Sequence, residues 1–181
     1  RHVRALPPPG VEVNVAADFG LFPVDEVVRT VKGRPPHVEV VLTGRYAPKE
    51  FIEMADFVAT NDYEAKMLQE RTGRSVEALA RRVKAFVVTR GAQGSLVYAG
   101  GREHRIAAVP PDRVVDPTGC GDAYRAGLLY GIARGWDWET TGRLGALMGS
   151  IKIARRGPQN HKPTREEIAA RYRKAFGASP F

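Results

Sequence analysis

A single cysteine, Cys120, stands in a chain of 181 residues, so no internal disulfide framework holds it together. That scarcity suits a reducing compartment, and the expected location is the cytoplasm. No apolar run approaches the ~18–20 residues of a membrane span, and the first residues lack the pattern of a secretory signal. Histidine is sparse as well: His2, His37, His104 and His161 are scattered and, with one cysteine, form no metal-ligand spacing. No stretch reads Gly-x-x-x-x-Gly-Lys-[Ser/Thr], which excludes the P-loop manner of holding a nucleotide. No internal repeat is visible. Aromatic residues make up only 8%, too few in the basic tail to interleave with bases as a single-strand binder requires.

Hydrophobic residues amount to 43% and charged residues to 27%, an ordinary globular balance. The net charge of +8 raises nucleic acid as a partner, but it is unevenly spread. Residues 1–56 carry 7 basic and 8 acidic side chains, a net of −1, whereas 57–181 carry 21 and 12, a net of +9. The bases from Lys152, Arg155 and Arg156 to Arg173 and Lys174 could form a phosphate-tracking face, although basic helical surfaces are usually only solvated.

Hydrophobic patterning alternates strands with helices. Strands are expected at Val11–Val15, Val38–Leu42, Phe57–Thr60, Ala85–Thr89 and Ser95–Ala99, with Gly100-Gly101 turning the chain into Arg102–Ala108. Helices are expected at Val24–Lys32, Lys49–Ala55, Asn61–Glu70, Ser75–Lys84, Ala123–Arg134 and about Asp137–Ala154. A last helix is expected after the capping box that begins at Thr164. The fold class is α/β, a three-layer αβα arrangement with a parallel-rich sheet.

Three stretches carry chemistry. Asp116-Pro117-Thr118-Gly119-Cys120-Gly121-Asp122 runs into a helix, whose unpaired first-turn N–H groups and positive dipole end make an anion hole. Asp122 beside that hole could accept a proton from a hydroxyl attacking phosphorus. A glycine-rich turn with Asp in the first helical turn also needs no function. Asn61-Asp62-Tyr63-Glu64 is a capping-box variant, or else a place where oxygen ligands face a hydrated Mg²⁺. Thr89-Arg90-Gly91-Ala92-Gln93-Gly94 follows a buried strand, at the end where α/β ligands bind, or is simply a turn. Trp136 and Trp138 read as packing residues. His161 reads as a loop histidine.

In order and spacing these three stretches resemble the ribokinase-like (PfkB) family of sugar and nucleoside kinases, over about residues 57–177. Asp116–Tyr130 and Ile151–His161 are similar to its bacterial adenosine-kinase-like branch. The resemblance implies ATP and Mg²⁺ as cofactors, with a monovalent cation such as K⁺ as a further candidate. It implies phosphorylation of a primary hydroxyl on adenosine or another nucleoside or sugar. Asp122 would be the base and Gly119, Cys120 and Gly121 the anion hole. Asn61 and Glu64 would organise Mg²⁺ through water, and Thr89, Gly91 and Gly94 would line the ATP site. The helix start would lower the Cys120 thiol pKa.

The front does not resemble that family's substrate-binding portion. Instead, Asn14–Val28, Pro35–Pro48 and Phe51–Val58 resemble the ATP:corrinoid adenosyltransferases, without their P-loop. The sequence therefore divides into an adenosyltransferase-like α/β segment, 1–56, and a ribokinase-like C-terminal region, 57–181, meeting near Asp56–Val58 as a fusion or chimera. The expected activity is kinase activity impaired by an absent substrate half. The alternatives are a catalytically incomplete nucleotide-binding fragment and, more weakly, an adenosyltransferase relative or a nucleic-acid binder. Oligomeric state is left open.

Overall fold

Short β-branched runs alternate with runs that open on a capping residue, and each becomes a strand or a helix. The computed structural model describes residues 24–35, 41–42 and 54–181. Within them the chain runs α1 (Val24–Lys32), β1 (Val41–Leu42), β2 (Phe57–Asn61), α2 (Asp62–Thr72), α3 (Val76–Ala80) and β3 (Ala85–Thr89). A single 3₁₀ turn (Gly91–Gln93) leads to β4 (Ser95–Ala99), β5 (Arg102–Ile106), α4 (Cys120–Ala133), α5 (Trp138–Ile153) and α6 (Arg165–Phe176). The five strands form one sheet in chain order, with β1 parallel to β2 and Val41 opposite Phe57. The expected strand Val11–Val15 and most of the expected helix Lys49–Ala55 lie outside the described residues.

The chain divides into two compact units, residues 1–88 with 98–102, and residues 89–97 with 103–181. In the first, β3 is buried over Ala85–Val88, as an almost unbroken apolar run requires. Phe86 and Leu79 lie at its centre with Val58, Ala65, Leu68 and Val88, and Val31 of α1 joins the same cluster. Burying a side chain of this size contributes about 1.5–3 kcal/mol. Asp56 pins the edge of this core: its carboxylate lies 2.8 Å from Arg34 and 3.4 Å from Lys84, and its carbonyl accepts the Lys84 N–H at 2.8 Å. Among the described residues, β1 extends the sheet through β2, and Val31 of α1 packs in the same core.

Helix α3 is shorter than expected. Ser75 caps it, its hydroxyl accepting the Ala78 N–H at 3.3 Å, but it ends at Ala80. The Lys84–Asp56 hydrogen bond then draws 81–84 out of helical register and into β3.

In the second unit α4 and α5 pack backbone to backbone. A methyl group added at Gly127 would sit 2.8 Å from the Gly145 backbone, so the crossing tolerates no side chain there. Leu144, Leu147, Ile151 and Tyr172 form the core beneath. Trp136 packs, as expected, its ring 5.4 Å from Tyr130 and 5.5 Å from Phe181. The Thr164 capping box is present, with Glu167 N–H donating to Thr164 Oγ1 at 3.2 Å and Thr164 N–H to Glu167 Oε2 at 2.9 Å. Lys152 departs from expectation. It is fully buried, so it belongs to no phosphate-tracking surface, and within that basic tail Arg171 is paired with Asp112 at 2.8 Å.

Candidate active site

The loop from Asp116 to Asp122 owes its path to one carboxylate and one glycine. Asp116 Oδ1 accepts the Thr118 N–H at 2.9 Å and Oδ2 accepts the Gly157 N–H at 2.7 Å. These two donors hold its carboxyl down at about 2, with the Lys152 charge adding. Gly119 then takes φ +82°, where a Cβ would also lie 2.9 Å from the Pro158 carbonyl oxygen. Only glycine satisfies both demands.

Helix α4 begins at Cys120, three residues earlier than its apolar pattern suggested, because Cys120 N–H already reaches Pro117 O and Ala123 N–H reaches Gly119 O. No side chain caps this end. Apart from the Cys120 and Ala123 N–H groups, which those two carbonyls take, the first-turn N–H groups have no partner within the helix. Asp122 is exposed in that turn and its carboxylate is paired with Arg125. The Cys120 thiol corrects an expectation. Burial pushes it up, more than the Lys152 charge pulls it down, so the helix start does not activate it.

Behind β3 the chain makes a tight turn: Arg90 N–H donates to Gly94 O at 2.8 Å, and Gly94 N–H to Gly91 O at 3.1 Å. Gly94 is required by the fold itself, since a Cβ there would overlap the Ile106 carbonyl oxygen at 2.0 Å. Thr89 is half-buried at the strand end.

A cavity of about 520 Å³ brings Thr89, Gly91 and Gly94 together with Cys120 and Gly121. Gly119 and Asp122 flank the lining residues in the chain. One wall is apolar, with Val109, Pro110, Pro111 and Ile153, and Val114 at its rim is 72% exposed. An exposed valine beside such a wall is surface that a flat apolar ligand would cover. Tyr124 also lines it, its hydroxyl 2.6 Å from Ser95 Oγ, and burial pushes that phenol up to about 12. The apolar wall suits a purine, and the glycine turn with the open helix end suits phosphates, so the residues present fit ATP.

Asn61 and Glu64 belong to the first unit, where each caps the other's main chain: Glu64 N–H to Asn61 Oδ1 at 2.7 Å and Asn61 N–H to Glu64 Oε2 at 2.9 Å. Among the described residues no group of three His, Cys, Asp or Glu forms a metal cage. Mg²⁺ needs none, because water and phosphate oxygens supply most of its shell. His161 is half-buried in the wall of a second cavity of about 470 Å³, beside Arg113, Arg155 and Lys162. Burial lowers its pKa.

Residues 31–165 match the pfkB family carbohydrate kinases. This chain belongs to that family. It is 43% identical to the Burkholderia thailandensis nucleoside kinase solved in complex with ADP-inosine, with a TM-score of 0.78, over 86% of this chain and 50% of that one. A nucleoside kinase from Methanocaldococcus jannaschii is 33% identical over 69% of this chain and 41% of its own. The adenosine kinase of Sinorhizobium meliloti is 32% identical at a TM-score of 0.66, covering 82% of this chain and 48% of that one. The pfkB-family chain therefore spans about half the length of the relatives it matches. It is a kinase-family chain with the ribokinase-like α/β fold.

Sequence reasoning missed Asp116, Tyr124 and Lys152 as organisers of this site. The signal for Lys152 was available: a lone lysine inside the apolar run Ile151–Ala154. Among the described residues no helix is long and apolar enough to cross a membrane.

Proposed function

We propose that this chain carries the ATP site and phosphoryl-transfer loop of a nucleoside kinase. The acceptor is the primary hydroxyl of a purine nucleoside, with adenosine and inosine the first to test because the Sinorhizobium relative is an adenosine kinase and the Burkholderia relative was solved with inosine. The observation that carries this is the single cavity in which the turn after β3 meets the open start of α4.

Thr89, Gly91 and Gly94 hold the nucleotide from the strand side. Cys120 N–H is taken by Pro117 O at 3.1 Å, so the N–H groups of Gly119 and Gly121 are the ones that stabilise charge on the transferring phosphoryl oxygens. Asp122 accepts the proton of the attacking hydroxyl on the carboxylate oxygen that Arg125 leaves open. In the first unit, Asn61 and Glu64 are the oxygen pair that would face hydrated Mg²⁺. Bound MgATP supplies the phosphoryl group and a cation that offsets phosphate charge. The test is ATP-dependent phosphorylation of adenosine and inosine by the wild-type chain and by Asp122→Asn. Equal rates in the two would overturn the mechanism.

A second reading, a chain that binds ATP or ADP without turning over, is favoured by Asp122 lying outside the cavity lining and paired with Arg125. ADP binding with no phosphorylation of any nucleoside would select it. The family match begins at residue 31, so residues 31–56 enter both readings as part of the kinase-like region. A cytoplasmic setting supplies ATP and keeps Cys120 reduced.

A further inference from the structure

Lys152 is the fully buried charged side chain of the described residues, at 0% exposure. Burying an ammonium is costly unless polar groups replace its water. The groups that do so here are main-chain carbonyls: Lys152 Nζ donates to Asp116 O at 2.7 Å and to Arg155 O at 3.2 Å. Carbonyl oxygens around a single positive charge are the surroundings of a bound alkali cation rather than of an ordinary salt bridge.

The two carbonyls are not arbitrary. Asp116 opens the phosphate loop, and Arg155 opens the turn whose Gly157 N–H binds the Asp116 carboxylate and whose Pro158 backs Gly119. The ammonium therefore sits at the joint between the loop and the turn that supports it. Its charge acts on Asp116, Cys120 and His161.

We propose that Lys152 is a built-in monovalent cation, a positioning residue whose ammonium occupies the carbonyl site behind the phosphate loop and makes added K⁺ unnecessary. The candidate K⁺ cofactor does not fit this chain, because Lys152 already takes the Asp116 and Arg155 carbonyls at the joint of loop and turn. The functional part of this inference rests on the nucleotide-binding reading above; the structural part does not.

The test compares melting temperature and ADP affinity in potassium chloride and in tetramethylammonium chloride at about 0.1 M each, for the wild-type chain and two variants. The wild type is expected to behave alike in both salts. Lys152→Ala, which opens the site, is expected to melt roughly 5–10 °C lower in tetramethylammonium and to recover at least half of that in potassium or ammonium chloride. Lys152→Met, which fills the space without charge, is expected to bind ADP about tenfold more weakly with no response to potassium.

A wild type whose melting temperature or ADP affinity rises with potassium would overturn the inference. So would a Lys152→Ala that melts like the wild type, or one that neither ion restores. Should Lys152→Ala fold in neither salt, the wild-type comparison and Lys152→Met decide. A wild type that binds no ADP refutes the nucleotide reading alone, since the melting arm involves no nucleotide.

Discussion

Two helices of the second unit begin in opposite ways. Helix α6 opens on Thr164, and its capping box consumes the free N–H groups inside the protein's own side chains. Helix α4 opens on Gly119, at φ +82° and with no side-chain cap. A closed start is complete by itself, whereas an open start leaves donors and a positive dipole end that an anion completes. Helix α2 is closed by a capping box at Asn61, and α3 and α5 by a single side-chain cap, Ser75 and Asp137. Among helices α2 to α6, α4 is the one whose start carries no side-chain cap, which is what the proposed anion site requires.

The largest expected effect breaks the comparison at its chemical end. Asp122→Asn keeps the open start and removes the proton acceptor, so phosphorylation of adenosine should fall by about 10²–10⁴-fold. ADP affinity in a direct titration should stay within about twofold of the wild type. Next comes the start itself. Gly119→Ala meets both a positive φ and the Pro158 carbonyl at 2.9 Å. It should cost about 1–3 kcal/mol in a denaturant melt and weaken ADP binding by more than about tenfold. A Gly119→Ala chain with unchanged ADP affinity would remove the anion role from this loop.

Much of this was legible in the sequence where a rule is local. The buried run Ala85–Val88 became β3, the Thr164 and Asn61 boxes formed, and Gly100-Gly101 turned β4 into β5. Local rules failed where a distant partner decides. Helix α3 stops at Ala80 because Asp56 holds Lys84. Helix α4 starts early because Pro117 and Gly119 carbonyls already serve it. Lys152 read as one more surface base: its place inside an apolar run hints at burial, but nothing along the chain announces the Asp116 carbonyl 36 residues away. The cavity was foreseeable as a pairing of two glycine-rich stretches, but its apolar wall of Val109, Pro110 and Ile153 was not. Those residues carry no motif and matter only by position.

A smaller effect sharpens the comparison through pH. Asp116 has its folded pKa depressed to about 2 by the Thr118 and Gly157 N–H donors. A depressed carboxylate stabilises the fold fully above its unfolded value and loses that contribution as pH falls through the folded value. Melting temperatures taken from about pH 5 down to about pH 2 should therefore decline, and the decline should be shallower in Asp116→Asn. An identical acid slope in both chains would show that the loop does not depend on this carboxylate.

The smallest effect decides whether Asn61 is more than a cap. Asn61→Ala and Thr164→Ala remove the same kind of bond from α2 and α6. Each should cost about 1 kcal/mol in a denaturant melt. If Asn61 and Glu64 also orient Mg²⁺ through water, the two variants part company in ligand binding. Asn61→Ala should weaken ADP binding measured with Mg²⁺ by several-fold and leave binding measured in a chelator nearly unchanged, while Thr164→Ala alters neither. A hydrated cation needs its outer oxygens fixed in direction, and a side chain already held by its own N-cap is fixed in that way. Equal behaviour of the two variants in all three measurements would assign Asn61 to the helix alone.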